Sequence, residues 1–174
     1  MTQDVPDAAA ELAVDLVADL IARGATVGTG ESVTGGRVVA ALTSVPGSSA
    51  AVRGGVVAYS AEAKESMLGV DHLVLGAQGP VSTEVAEQMA RGARDALGAT
   101  YGVATTGEAG PESASGRPVG LVHLAVAGPL GTTTRLLQTE GTRAEIQSFA
   151  TAGALGLLGE VLRSTGSSQP SAGT

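Results

Sequence analysis

The sequence predicts an α/β protein: a single domain built as a three-layer α/β/α sandwich around a mixed central sheet. Three observations carry this. Helical and β-rich stretches alternate along most of the chain, the pattern of strands crossing over through helices. Two β-rich runs near the end, Pro118 to Ala127 and Thr132 to Thr139, are joined by only Gly128-Pro129-Leu130-Gly131, a hairpin that makes the sheet mixed rather than wholly parallel. At 174 residues and 43% hydrophobic content, mostly alanine, valine and leucine, the chain can bury one substantial core. With one Phe, two Tyr, no Trp and 26 glycines, that core must pack small aliphatic side chains against closely approaching backbones.

The elements follow in order. Residues 1–6 read as a flexible tail. From Asp7 to Arg23, Leu12, Leu16 and Leu20 recur every four residues beside Ala13, Val17 and Ile21, a helix that Gly24 ends. A strand from Ala25 to about Thr29 leads into Gly28-Thr29-Gly30-Glu31-Ser32-Val33-Thr34-Gly35-Gly36, and a helix from Gly35 to Ser44 stops at Val45-Pro46-Gly47. Ser48-Ser49 caps a short helix toward Arg53. Gly54 to Tyr59 reads as a buried strand, followed by a helix over Ala61–Leu68 that ends at Gly69. A helical turn is expected at Asp71–Leu75. Ser82 caps a helix to Leu97 with Val85, Met89, Ala93 and Ala96 on one face, and Tyr101–Thr106 forms a third strand. A second glycine-rich loop covers Gly107 to Gly116. After the hairpin, Thr142 and Glu145 make a capping box for the last helix, which Gly153, Gly156 and Gly159 weaken, either to allow a close helix or subunit contact or because they are simply tolerated. The single domain spans 7–163, and 164–174 is a Ser/Gly/Pro-rich tail expected to be disordered.

Charge and composition exclude several functions. A net charge of −7 disfavours a nucleic-acid or anionic-membrane surface, while permitting a local cationic pocket for one anionic small molecule. Without cysteine there is no disulfide or thiolate site, and His72 and His123, with no metal-ligand spacing, read as structural. No metal and no cofactor are expected. No signal peptide or membrane-length apolar run is present, so the expected location is the cytoplasm. The ten basic residues are nine arginines and one lysine, Lys64. Lysine differs from arginine in being able to lose its proton when desolvated.

The opening loop fails the familiar glycine motifs. Val33 stands at the third glycine of the dinucleotide fingerprint, no Gly-Lys-Ser/Thr ending makes a phosphate loop, and Thr34 replaces the last glycine of a Gly-x-Ser-x-Gly elbow. Tyr59 and Ser60 each miss a Tyr-x-x-x-Lys or Ser-x-x-Lys pairing with Lys64 by one residue. What survives is a convergence. Ser32 follows the first strand, Tyr59 and Lys64 follow the next, and Thr106 and Gly107 close the third. If these strands are parallel, all meet in the crevice beyond their carboxyl ends. From the loop alone, Ser32 is a nucleophile, a phosphate contact or a helix cap. Thr34, Gly35 and Gly36 offer backbone N–H groups to a phosphate or an oxyanion. Ser48 and Thr106 are candidate polar contacts, and Arg117 a candidate partner for a phosphate.

At these residues the chain resembles the C-terminal domain of the CinA family, the nicotinamide-nucleotide amidohydrolases. The matching blocks are Glu31 to Gly36, Gly47-Ser48-Ser49, Val56 to Ser60 with Lys64, Gly79 to Ser82, Thr106-Gly107 with Ala109-Gly110-Pro111, and Arg117 to Gly120. They span about residues 8 to 163. The resemblance implies hydrolysis of the carboxamide of nicotinamide mononucleotide to nicotinate mononucleotide and ammonia, in pyridine nucleotide salvage. It also implies a serine nucleophile with a lysine and a tyrosine nearby, which fall on Ser32, Lys64 and Tyr59. Longer CinA proteins carry an additional N-terminal domain for which this chain leaves no room. Departures from the family pattern are Gly30, Glu108, Glu112-Ser113-Ala114-Ser115 and Arg117, and they bear on nucleotide binding more than on the trio. The alternatives are a non-enzymatic nucleotide-binding or regulatory protein, and an amidase for another small amide. The expected partner is a small-molecule nucleotide substrate, and the composition is compatible with a homodimer.

Overall fold

The computed structural model describes residues 8–166, and these form a mixed five-stranded sheet between two helical layers. The elements are α1 (Ala8–Ala22), β1 (Val27–Glu31), α2 (Arg37–Thr43), a 3-10 turn (Ser48–Ala50), β2 (Val52–Val57), α3 (Ala61–Leu68), α4 (His72–Gln78), α5 (Thr83–Ala96), β3 (Tyr101–Gly107), β4 (Leu121–Gly128), β5 (Gly131–Gln138) and α6 (Arg143–Gly166). The strand order is β2-β1-β3-β4-β5. β2, β1 and β3 run parallel, and β4 and β5 are antiparallel additions on one side. The carboxyl ends of the three parallel strands therefore share one edge, where a crevice forms.

The two faces of the sheet bury different cores. On one, α1, α2 and α6 cover Val27, Val103, Val122, Leu124 and Val126. On the other, α5 lies over a floor of small residues that includes Ala104, Ala125 and Ala127, with α3 packed beside it. The glycines explain how near α5 comes. A Cβ on Gly102 of β3 would overlap the Ala90 carbonyl of α5, and one on Gly92 of α5 would overlap the Leu68 carbonyl of α3. Gly153 lets α6 lie on the hairpin, because a Cβ there would sit 2.7 Å from the Leu137 side chain. Caps mark the helix starts: Ser60, Asp71 and Ser82 accept from the N–H groups of Ala63, Leu73 and Val85.

Several expectations shift. β1 runs two residues later than expected, so Glu31 belongs to the strand. β2 starts at Val52 and ends at Val57, and its residues alternate between half-buried and exposed. It is an edge strand rather than a buried one, since only β1 pairs with it and α2 covers one face. The turn after Gly69 is a seven-residue helix, α4. Ser164 to Gly166, expected to open a disordered tail, complete α6. The rest of that tail, and the expected tail at 1–6, lie outside the described residues. Among the described residues no helix is long and apolar enough to cross a membrane.

Candidate active site

The site begins with the alternation of β1. Gly28 and Gly30 face α5, where a Cβ on Gly30 would meet Leu68, Met89 and Ala93. Glu31 therefore faces the other way, toward the start of α2, and Ser32 turns back to the α3 side. The Ser32 N–H donates to the Thr105 carbonyl at 2.9 Å, which fixes its backbone one step beyond the β1–β3 ladder.

Glu31 occupies the helix start that the glycine-rich loop leads into. Its fully buried carboxylate accepts from the hydroxyls of Thr29 at 3.1 Å and Thr34 at 2.6 Å, and from the N–H groups of Gly36 at 3.0 Å, Val38 at 3.0 Å and Val39 at 2.8 Å. The Gly35 and Arg37 N–H groups donate to the Ser32 and Thr34 carbonyls, and that of Ala40 to Gly36. The helix start that was expected to hold a phosphate or an oxyanion is thus filled by the protein's own anion. Gly36, at φ +95°, makes the turn into α2 and is its N-cap, a conformation that glycine adopts without strain. Ser32 is accordingly not the cap of this helix.

Lys64 reaches Ser32 from α3. Ser60 caps that helix, and the next turn carries Lys64 inward while Glu62 and Glu65 stay exposed. The side chain is 2% exposed. Its Nζ donates to Ser32 Oγ at 2.9 Å and to the Ala58 carbonyl at 3.1 Å. Among the described residues no carboxylate pairs with it. Burial lowers the ammonium pKa from 10.5 to about 8. At pH 7 the neutral amine is then about 10% of the population, roughly 300-fold more than for a solvated lysine. A neutral amine 2.9 Å from a hydroxyl can take its proton.

A cleft of about 200 Å³ opens over this pair. Tyr59 stands at its mouth, more than half exposed, and its hydroxyl is hydrogen-bonded to Arg143 Nη2 rather than to Lys64. Arg143, at the start of α6, also donates from Nη1 to the Gly110 carbonyl at 2.8 Å. It therefore ties the second glycine-rich loop to the end of β2. Thr106 and Gly107 lie on the cleft wall, with the Thr106 hydroxyl donating to the Pro80 carbonyl at 2.7 Å. Gly107 is needed for space, since a Cβ would come within 2.5 Å of the Leu121 carbonyl. Glu108 is buried and accepts from the N–H groups of Ala114 at 3.1 Å and Ser115 at 2.7 Å, so it shapes the loop from within.

The structure thus brings together Ser32, Lys64, Tyr59, Thr106 and Gly107. It does not bring the others to the cleft. The Thr34 hydroxyl and the Gly36 N–H are engaged by Glu31, and the Gly35 N–H by the Ser32 carbonyl. Ser48 lies near the opposite end of β1, where the neighbouring Ala51 carbonyl accepts from the Val27 N–H. Arg117 donates to the Gln78 carbonyl at 3.3 Å and sits near His123, whose pKa burial and that guanidinium both lower. Sequence reasoning missed Arg143, which resembles any exposed residue beside a capping box. It also missed the role of Glu31, for which an acid at the end of a buried strand was the available signal. Among the described residues no group of three or more His, Asp or Glu side chains could hold a metal ion.

Comparison with known proteins agrees with this architecture. A family model described as the CinA C-terminal domain matches residues 9–162. A CinA-like protein of Frankia casuarinae is 50% identical over 143 residues, 82% of this chain and 33% of that protein. One from Anaeromyxobacter dehalogenans is 51% identical over 149 residues, 85% of this chain and 36% of that protein. The chain spans about a third of the length of these curated relatives. Among solved structures, the competence/damage inducible protein CihA from Agrobacterium tumefaciens is 40% identical with a TM-score of 0.86, covering 94% of this chain and 99% of that one. The competence damage-inducible protein A (ComA) from Klebsiella pneumoniae is 34% identical with a TM-score of 0.86, covering 89% and 97%. With a whole-domain family match, identities near one half and the same fold, this chain belongs to the CinA C-terminal domain family.

Proposed function

We propose that this chain is a metal-independent amidohydrolase that converts nicotinamide mononucleotide to nicotinate mononucleotide and ammonia. The observation that carries the reading is the buried Lys64 amine, 2.9 Å from Ser32 Oγ and with its pKa lowered to about 8. Neutral Lys64 takes the Ser32 proton as Oγ bonds to the carboxamide carbon and the carbonyl opens to an oxyanion. Collapse breaks the C–N bond, and the Lys64 ammonium gives its proton to the departing nitrogen, releasing ammonia. Water then adds to the acyl-serine. Lys64 takes the water proton and returns it to Oγ as the acyl C–O bond breaks and nicotinate mononucleotide leaves. The Ala58 carbonyl holds one N–H of Nζ throughout and so aims the remaining positions at Ser32. Arg143 at the mouth supplies the cation for the substrate phosphate, and Tyr59 positions that guanidinium.

The test is ammonia release from nicotinamide mononucleotide in the presence of a chelator. Activity in the wild type and its loss in Ser32→Ala support the reading. Full activity in Ser32→Ala removes the serine mechanism. Tight nucleotide binding without ammonia points to the binding or regulatory alternative, and turnover of a different amide points to another substrate.

A further inference from the structure

Among the described residues one buried side-chain polar atom has no hydrogen-bond partner, the Ser115 hydroxyl oxygen. An unmatched buried hydroxyl is unfavourable, and such an atom in a folded protein asks for a reason. Ser115 lines the cleft that holds Ser32 and Lys64. Its backbone cannot shift to relieve the hydroxyl, because Glu108 holds the N–H groups of both Ala114 and Ser115. Rotation about the serine χ1 is the adjustment left, and a polar ligand in the cleft supplies the partner. Glu112, three residues earlier, is exposed and lines the same cleft.

A hydroxyl both donates and accepts, whereas a carboxylate only accepts. On one short stretch of the cleft lining they match two adjacent hydroxyls, one donating to the carboxylate and the other pairing with the serine. Carboxylates recognise ribose hydroxyls in this way in nucleotide-binding folds. The acid also keeps a phosphate away from this wall and toward Arg143. Resting on the amidohydrolase reading, we infer that the wall from Glu112 to Ser115 is the subsite for the vicinal hydroxyls of the substrate ribose, with Ser115 Oγ and the Glu112 carboxylate as its contacts.

The experiment compares calorimetric binding of nicotinamide riboside and its 2′,3′-dideoxy analogue, in the Ser32→Ala background so that neither is consumed. The riboside should bind about tenfold more tightly, roughly threefold from each of two hydrogen bonds at the rim of the cleft. Adding Ser115→Ala, or Glu112→Gln, should cut that preference to roughly threefold or less without changing affinity for the dideoxy analogue. Ser115→Ala should leave the melting temperature of the free protein unchanged or raise it, whereas a serine with a structural role would lower it. Equal binding of the two ribosides, or a preference that survives both substitutions, overturns the inference. So does a lack of binding by either. Ammonia release by the wild type, measured separately, decides the hydrolase reading, so the two failures are distinguishable.

Discussion

A charged lysine in the core should cost the fold stability that returns as the pH rises. Lys64 has a pKa near 8 in the folded protein against 10.5 in the unfolded chain, so the unfolded chain binds the proton more tightly. The penalty is therefore full below about pH 8 and disappears as the pH climbs toward 10.5. The gap of 2.5 between those values corresponds to about 3 kcal/mol at pH 7. It falls to about 2 kcal/mol at pH 9 and about 1 kcal/mol at pH 10. Lys64→Met keeps the length of the side chain and removes the titration. The difference in unfolding free energy between wild type and Lys64→Met, from urea melts at each pH, should move in favour of the wild type by about 1 kcal/mol from pH 7 to pH 9 and by about 2 kcal/mol from pH 7 to pH 10. Other titrating groups are common to both proteins and cancel. The same proton must appear in catalysis, so kcat/KM should rise through a single ionisation near pH 8 and then level. A stability difference that is flat from pH 7 to pH 10 means an ordinary solvated lysine. Activity that falls through pH 8 means the ammonium is the working form. Either result refutes Lys64 as the base.

Three further outcomes follow from the same geometry. Lys64→Arg keeps the charge but never presents a neutral nitrogen, so ammonia release should drop by roughly 10² to 10⁴; wild-type rates would rule out proton transfer at this position. Glu31→Gln replaces a carboxylate that accepts five hydrogen bonds with an amide whose NH₂ faces donors. It should cost about 3 kcal/mol in urea unfolding, and a change below about 0.5 kcal/mol would show that the loop does not depend on this anion. Arg143→Ala breaks one exposed and one part-buried hydrogen bond and should change stability by about 1 kcal/mol or less. It should raise KM for the mononucleotide roughly tenfold while leaving KM for the unphosphorylated riboside unchanged; equal effects on both would move the phosphate elsewhere.

Much of this was legible in the sequence because it rests on local pattern. The four-residue spacing of Leu12, Leu16 and Leu20, the Ser82 cap and the short link at Gly128 to Gly131 are local signals, and each sits in the element it predicts, whereas Ser48-Ser49 caps no helix toward Arg53: the turn there ends at Ala50 and its N-cap is Gly47. Ser32 and Lys64 were legible for a different reason. They lie 32 residues apart, but both follow parallel strands whose ends share one edge of the sheet. The edge position of β2 was not legible, because Gly54 to Val57 reads as a buried run until the strand order is known. Arg143 was not legible either. It stands 84 residues after Tyr59, and only the packing of α6 across the sheet brings it to the cleft. Arg117 was the arginine with a local reason to be chosen, beside the second loop, yet its guanidinium turns to Gln78.

The position of Glu31 changes what the opening loop contributes. A glycine-rich turn into a helix concentrates N–H groups, and left empty it would attract the substrate phosphate. With Glu31 seated there, the positive end of α2 is neutralised before any ligand arrives. On the proposed reading the substrate phosphate goes to Arg143 at the mouth rather than to the loop beside Ser32. That separation suits the chemistry. A phosphate drawn into the loop would bring negative charge beside Lys64, favour its ammonium and raise its pKa, removing the neutral base. Glu31 itself does not do this, because its charge is spent on five donors on the opposite face of β1 from Lys64. In the proposed reaction the loop's part is to refuse an anion, while burial holds the Lys64 pKa near 8.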